Sequence, residues 1–456
     1  MAAAPNRQTV RRLLVLGVLA GLVTYVVTPL ERPDQLSLAS DVYRTAATAI
    51  LTSGELYGVY PTDRTGYGYL YPPITVLVFV PHALLPTANA AFTLQLVTNL
   101  IAAIGTAVVI ARALKRRDVP IDRRDVLVLA GFMVLSSYST IQFINGQINL
   151  WLALALAIGF EAVDRNDGRI AGIAFGIAAL FKVFPAVIGL WLMRTRALSA
   201  IVVASATGIG GLLLGALLFG PELTLTYLVD VLLGRFEGST YDGRPDPTDN
   251  VDGVHRQLAA IWPSGDIAHT VVGLVIVGTL VGMALRRSET TVERDVAALG
   301  TIVGGLLFLP LQPLYFPLIV FPLVMLLYTL PTRPERWIII VGMLLTFLHT
   351  DQDSVVLALR LVPLPSGIET IITSATAHLF TFVLPPTLGL WCMLIACALL
   401  QVRPKIAPSQ FAPATTPGIP ATLLTIPWIS GRHGTSKRPE MEGNRSETDR
   451  RHPLRD

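Results

Sequence analysis

The sequence predicts an all-α, polytopic membrane protein of about 10–13 transmembrane helices, with an amphipathic helix in its first outer loop. Three observations predict it. The chain of 456 residues is 52% hydrophobic and only 14% charged, where an ordinary soluble domain carries roughly 25% charged residues. Its apolar residues come in long runs, Leu13 to Leu30 being the first, rather than at the spacing of amphipathic helices, and a hydrocarbon layer takes about 20 residues of helix. Basic clusters recur between the runs, as they do in the cytoplasmic loops of membrane proteins. A disordered chain and a nucleic-acid-coating protein are both excluded.

The formal charge of +4 sits in the tail. From Arg403 to Asp456 there are nine basic residues against five acidic, and the rest of the chain is balanced at 26 against 26. The charge therefore marks a basic appendage at a membrane surface, not a polyanionic substrate. Cys392 and Cys397 both lie in the last apolar run, so neither a disulfide framework nor a cysteine metal site is expected.

Taken in order, Arg7, Arg11 and Arg12 place the N-terminus inside. A cleaved signal peptide fits less well, because the run is long and no small-x-small site follows it. The loop from Glu31 to Tyr71 is then outside. Within it Ser40 and Gly54 are expected to cap a helix over 41–53, whose Val42, Ala46, Ala49 and Ile50 form an apolar face on the membrane surface. The segment from Pro72 to Pro86 is short for a span; either it is a half-span, or it crosses and the Lys115 to Arg124 cluster lies outside. Clusters at Arg165–Arg169, Arg194–Arg196, Arg286–Arg287, Arg333–Arg336 and Arg403–Lys405 read as cytoplasmic. The Asn145–Asn149 turn, the segment Phe219–Asp266, the Gln312–Tyr315 turn and the His349–Asp353 end read as outside. Basic residues flank both ends of Ile170–Met193, so this segment enters and returns with Lys182 and Pro185 near its outer tip. The expected organisation is a transmembrane domain over 1–402, with outer loops at 31–71 and 220–266, and a disordered basic cytoplasmic tail over 403–456.

Polar residues near membrane depth carry the functional information, since each costs free energy unless paired or wetted. Asp41 is either a first-turn acid complementing the helix dipole or a general base at the water–membrane boundary. Asn145, Gln147 and Asn149 either glue helices or hold hydroxyl-rich ligands, because an amide both donates and accepts. Lys182, inside a proline-broken apolar hairpin, either snorkels or meets a phosphate. The long outer segment carries His255 and Arg256 and has the length of a mobile lid. His349, Asp351 and Asp353 only weakly suggest a metal cluster, and no metal is expected.

Asp41-Val42-Tyr43, Gly54-x-Leu56-Tyr57, Tyr69-x-Tyr71-Pro72-Pro73, Asn145-Gly146-Gln147-x-Asn149-Leu150 and Lys182-Val183-Phe184-Pro185 occur in this order. Together they resemble the GT-C glycosyltransferases, most nearly the polyprenyl-phosphate-mannose-dependent alpha-mannosyltransferases of glycosyltransferase family 87. The resemblance covers roughly residues 10 to 330. It implies transfer of a hexose, mannose first among them, from a polyprenyl-phosphate donor to a glycan, glycolipid or glycoprotein outside the cell membrane. Asp41 would be the catalytic base of an inverting attack. Lys182, Arg44 and Arg256 would meet the donor phosphate, and Asn145, Gln147, Asn149, Tyr71, Gln312, Tyr315 and His255 the sugar or acceptor. Partners would be the lipid-linked donor, the acceptor and membrane lipids, with no nucleic acid and no cofactor besides the donor. Many relatives carry a histidine where this chain reads Leu311-Gln312-Pro313-Leu314-Tyr315, so Gln312, Tyr315, His255 or His349 would take that place, or the base works alone. A lipid-linked-sugar transporter is the alternative, but related halves and broken helices at the midplane are not evident.

Overall fold

The computed structural model describes residues 4–234, 241, 243–249, 251, 253–263, 266–309, 313–360, 362 and 364–403, and the tail expected from 403 falls outside these apart from Arg403. All regular structure among them is helical. In chain order the helices are α1 (Ala4–Glu31), α2 (Leu38–Thr52), α3 (Val80–Leu84), α4 (Ala88–Arg116), α5 (Arg123–Leu135), α6 (Ser137–Asn145), α7 (Asn149–Asp164), α8 (Gly168–Phe181), α9 (Ile188–Arg194) and α10 (Leu198–Phe219). They continue with α11 (Pro221–Thr226), α12 (Val254–Ile261), α13 (Asp266–Ala284), α14 (Thr291–Phe308), α15 (Val320–Thr329), α16 (Pro334–Thr346), α17 (Gln352–Arg360), α18 (Ser366–Phe382) and α19 (Pro385–Val402). Among the described residues five helices are long and apolar enough to cross a membrane alone, or six if bent α5–α6 counts as one span. Shorter apolar helices fill the bundle between them. The protein is a polytopic membrane protein, and α10 turns Leu213 and Leu217 outward as a lipid surround requires.

Long-range polar pairs sort the helix ends onto two faces. On one, Arg7 and Arg11 pair with Asp122 and Asp125, Arg117 with Asp164 and Asp295, and Arg403 with Glu335. Trp191 donates to the Arg294 carbonyl, and Gln401 to those of Arg287 and Glu293. This is the basic face. On the other, the Ser37 N–H donates to the Ile144 carbonyl, Gln142 donates to Leu314, and Arg32 pairs with Asp351. The Lys115–Arg124 cluster thus shares a face with the N-terminal arginines. Residues Pro73–Leu84, a 3-10 turn running into α3, pack on α2 and the start of α4 at the opposite face, which makes this segment a half-span.

Local sequence explains the main boundaries. Asp122 and Asp125 form a capping box that starts α5, and Thr290 and Glu293 one that starts α14. Ser136 breaks α5 from α6 with a 48° bend, and Gly21 of α1 passes so close to the Leu135 carbonyl that no side chain fits there. Gly342 and Gly389 let α16 and α19 cross with each backbone against the other.

The first-loop helix begins at Leu38, not residue 41, and its N-cap is Ser37 in a left-handed conformation (φ 59°). The tertiary bond from Ser37 N–H to Ile144 turns the chain there, a partner that local sequence does not reveal. Ser40 is instead fully buried against Gly146. At the other end Ser53 is the C-cap and Gly54 takes the left-handed position beyond it (φ 77°).

Candidate active site

The site assembles on the face opposite the basic one, where α2 lies across the turn between α6 and α7. Two bonds clamp it, from Ser37 N–H to the Ile144 carbonyl (2.9 Å) and from the Tyr43 hydroxyl to Gln147 Oε1 (3.2 Å). Asp41 falls in the first turn of α2. One of its oxygens accepts from Ser37 Oγ at 2.8 Å and lies 3.7 Å from Arg64 Nη2. Its side chain is 20% exposed, so a hydroxyl can reach it. Arg64 also donates to the carbonyls of Asp34 and Leu36 at 2.5 and 2.7 Å, fastening the chain just before the helix.

Beneath α2 is an aromatic wall. Tyr43 stacks on Phe79 with ring centroids 4.2 Å apart, and its hydroxyl meets that of Tyr71 at 3.1 Å. Tyr71 packs edge-on against Phe181, the last residue of α8. Lys182 follows directly. Its Nζ lies 4.4 Å from the Tyr315 ring centroid, 5.8 Å from that of Tyr71 and 3.5 Å from the Tyr315 hydroxyl. The two rings hold the ammonium at the tip of the α8–α9 hairpin through their negative faces. Beside it an apolar groove of about 340 Å³ runs between α8, α9 and α10, with Pro72, Val183, Leu180, Ile201, Leu212 and Tyr227 in its walls.

The amides are bound into the scaffold and only partly satisfied. Asn149 and Gln142 donate to the Leu314 carbonyl, and Asn145 to Gln35 Oε1. The side-chain oxygens of Gln142, Asn145 and Asn149 are buried without a partner among the described residues, and such acceptors invite a hydroxyl donor. A relay from His82 through Gln95 to Asn99 ends on the carbonyls of Gln142 and Gln147 and fixes the turn that carries them.

Not every expected residue joins this group. Arg256 is fully buried, and its guanidinium donates to the carbonyls of Phe380, Asp246, Asp249 and Val251, so its donors are spent on holding the outer segment to α18. His255 is buried with its ring against Phe308. Among the described residues Arg44 reaches only the Leu85 carbonyl, at 3.5 Å. His349 packs against Phe316, and the Asp351 carboxylate is taken by Arg32 and Ser354. Gln312 lies outside the described residues, as does much of the stretch expected to form a lid. Sequence reasoning missed Arg64, which carries no local signal, and the Gln95–Asn99 pair, which does: two amides four residues apart in an otherwise apolar span.

A family model for glycosyltransferase family 87 matches residues 69–313, a little over half of the chain and including Tyr71, the Asn145–Asn149 turn and Lys182. The chain belongs to glycosyltransferase family 87. Asp41 and Tyr315 fall outside the matched span. Two curated relatives are each named polyprenol-phosphate-mannose-dependent alpha-(1-2)-phosphatidylinositol pentamannoside mannosyltransferase. The one from Mycolicibacterium smegmatis is 30% identical over 225 residues, 47% of this chain and 52% of the relative. That from Mycobacterium tuberculosis is 28% identical over 182 residues, 38% of this chain and 41% of the relative. The chain thus spans about half the length, or less, of the curated relatives it matches.

Proposed function

We propose that this family 87 protein transfers mannose from a polyprenyl-phosphate donor to a hydroxyl of a glycolipid or other glycan. The carrying observation is that α2 holds both a solvent-reachable acid, Asp41, and Tyr43, whose hydroxyl bonds that of Tyr71, one of the two rings that hold Lys182. In the reaction Asp41 takes the proton of the acceptor hydroxyl as its oxygen bonds to the anomeric carbon. The bond from that carbon to the phosphate oxygen breaks, the anomeric centre inverts, and polyprenyl phosphate leaves. Lys182 offsets the negative charge that grows on the leaving phosphate, where a preorganised cation is worth most. The apolar groove beside Lys182 suits the first isoprene units of the donor, which puts its phosphate at the hairpin tip. Ser37 and Arg64 fix the orientation of the Asp41 carboxylate at the head of α2.

The positive-inside rule assigns the basic face to the cytoplasm and the site to the outer side of the cell membrane. Names of the mycobacterial relatives favour mannose and a phosphatidylinositol-mannoside acceptor. The test is a donor screen on the purified full chain in nanodiscs, with polyprenyl-phosphate mannose, glucose and arabinofuranose. Preferential consumption of the mannose donor is expected; consumption of none, or of another sugar in preference, would refute the assignment.

A further inference from the structure

A second polar cavity, of about 280 Å³, opens on the same face between the outer end of α1, the α6–α7 turn and the bend between α16 and α17. Its walls include Glu31, Arg32, Gln35, Asn145, His349 and Asp351. Three of their atoms are buried and lack a partner among the described residues: Glu31 Oε1, Asn145 Oδ1 and His349 Nε2. Asn145 is only 4% exposed. The His349 ring already bonds the Thr346 main chain, which leaves Nε2 of the neutral ring as an acceptor. All three are therefore acceptors, and what fits them is a ligand rich in donors. Buried polar groups of this kind are rarely left unmatched.

Charge narrows the ligand. The two carboxylates face a single guanidinium, and Arg32 is engaged by Asp351, whose other oxygen caps Ser354. A phosphate would meet net negative charge here, whereas Lys182 supplies positive charge at the hairpin tip. A neutral sugar offers hydroxyl donors and no charge. The cavity also joins the catalytic loop: Gln35 of its wall accepts from Asn145, and Arg64 ties the carbonyls of Asp34 and Leu36 to Asp41.

We propose that this cavity is the acceptor subsite, taking the terminal hydroxyls of a neutral glycan headgroup while the donor phosphate stays at Lys182. The assignment rests on the transferase reading, and it is tested by binding as well as turnover. Thr28 lines the cavity from α1, so Thr28→Phe fills it, while Asn145→Ala removes one acceptor. Octyl α-mannoside serves as the probe with the full chain in nanodiscs. Both variants should weaken its binding, read by saturation-transfer NMR, at least tenfold, and raise its KM in transfer by the same factor. In Thr28→Phe the slow hydrolysis of polyprenyl-phosphate mannose by water should stay within twofold of wild type. Unchanged probe affinity in both variants overturns the subsite, as does an equal loss of hydrolysis and transfer in Thr28→Phe. If wild type binds the probe and Thr28→Phe does not, yet no donor is consumed, the subsite stands and the transferase reading falls.

Discussion

Gly146→Ala probes how α2 is held over the site. Gly146 has φ 72°, and a Cβ built there would lie 2.9 Å from the Ser40 Cβ and 3.4 Å from Gln95 and Phe92. The left-handed backbone costs a non-glycine residue about 1–2 kcal/mol. Two carbons at 2.9 Å stand well inside the ~3.5–4.0 Å optimum, and overpacking of that kind costs about 1–3 kcal/mol. The sum is about 2–5 kcal/mol if α2 stays in place. If instead α2 lifts to relieve the contact, Ser40 carries its neighbour Asp41 with it, and a displacement near 1 Å costs on the order of 100-fold in rate. The assay is thermal unfolding in detergent alongside sugar transfer. Gly131→Ala is the control, since nothing lies within 4 Å of its Cβ position. Ser40→Gly added to Gly146→Ala removes the clashing methylene, so it should recover much of the turnover while leaving the backbone cost. Wild-type stability and turnover in Gly146→Ala, or no recovery in the double variant, would refute the claimed contact.

Other consequences follow from single groups. Lys182→Met should lower kcat/KM for the donor by about 100- to 1,000-fold, with Lys182→Arg retaining part of the activity; equal turnover of Lys182→Met and wild type would remove the lysine from the site. Arg117→Ala strands Asp295, 5% exposed, at the basic face, while Asp164 keeps Arg294 at 3.5 Å; it should cost about 3–5 kcal/mol, a loss that Asp295→Asn partly restores in thermal melts. Burial lowers the His349 pKa from 6.5 to about 4, so the folded state binds this proton less readily than the unfolded chain. Its contribution, about 3 kcal/mol at most, is present above pH 6.5 and lost as pH falls toward 4; His349→Gln should flatten melting temperature against pH in that window.

The membrane architecture and the order of polar motifs were legible because both are written in local composition: long apolar runs, basic loops, and amides or a lysine where none is cheap. What local sequence cannot encode is the partner. The half-span at Pro73–Leu84 follows only once Arg117 is seen to join Asp164 and Asp295 on the face of the N-terminal arginines. The start of α2 depends on the bond from Ser37 to Ile144, more than a hundred residues away. Arg256 reads as a free cation in sequence, yet folding spends its guanidinium on main-chain carbonyls. Arg64 reads as an ordinary loop residue, yet it braces Asp41.

Replacing the base while keeping its shape goes to the core of the mechanism. Asn at position 41 can still accept from Ser37, and the partly exposed ion pair with Arg64 contributes only about 0–1 kcal/mol, so Asp41→Asn should insert and melt like wild type. With sugar-labelled polyprenyl-phosphate mannose and octyl α-mannoside in nanodiscs, product counted by mass spectrometry, the wild-type chain should form the disaccharide and Asp41→Asn should be slower by about 100- to 10,000-fold. Turnover by Asp41→Asn at the wild-type rate would contradict the assignment of Asp41 as the base.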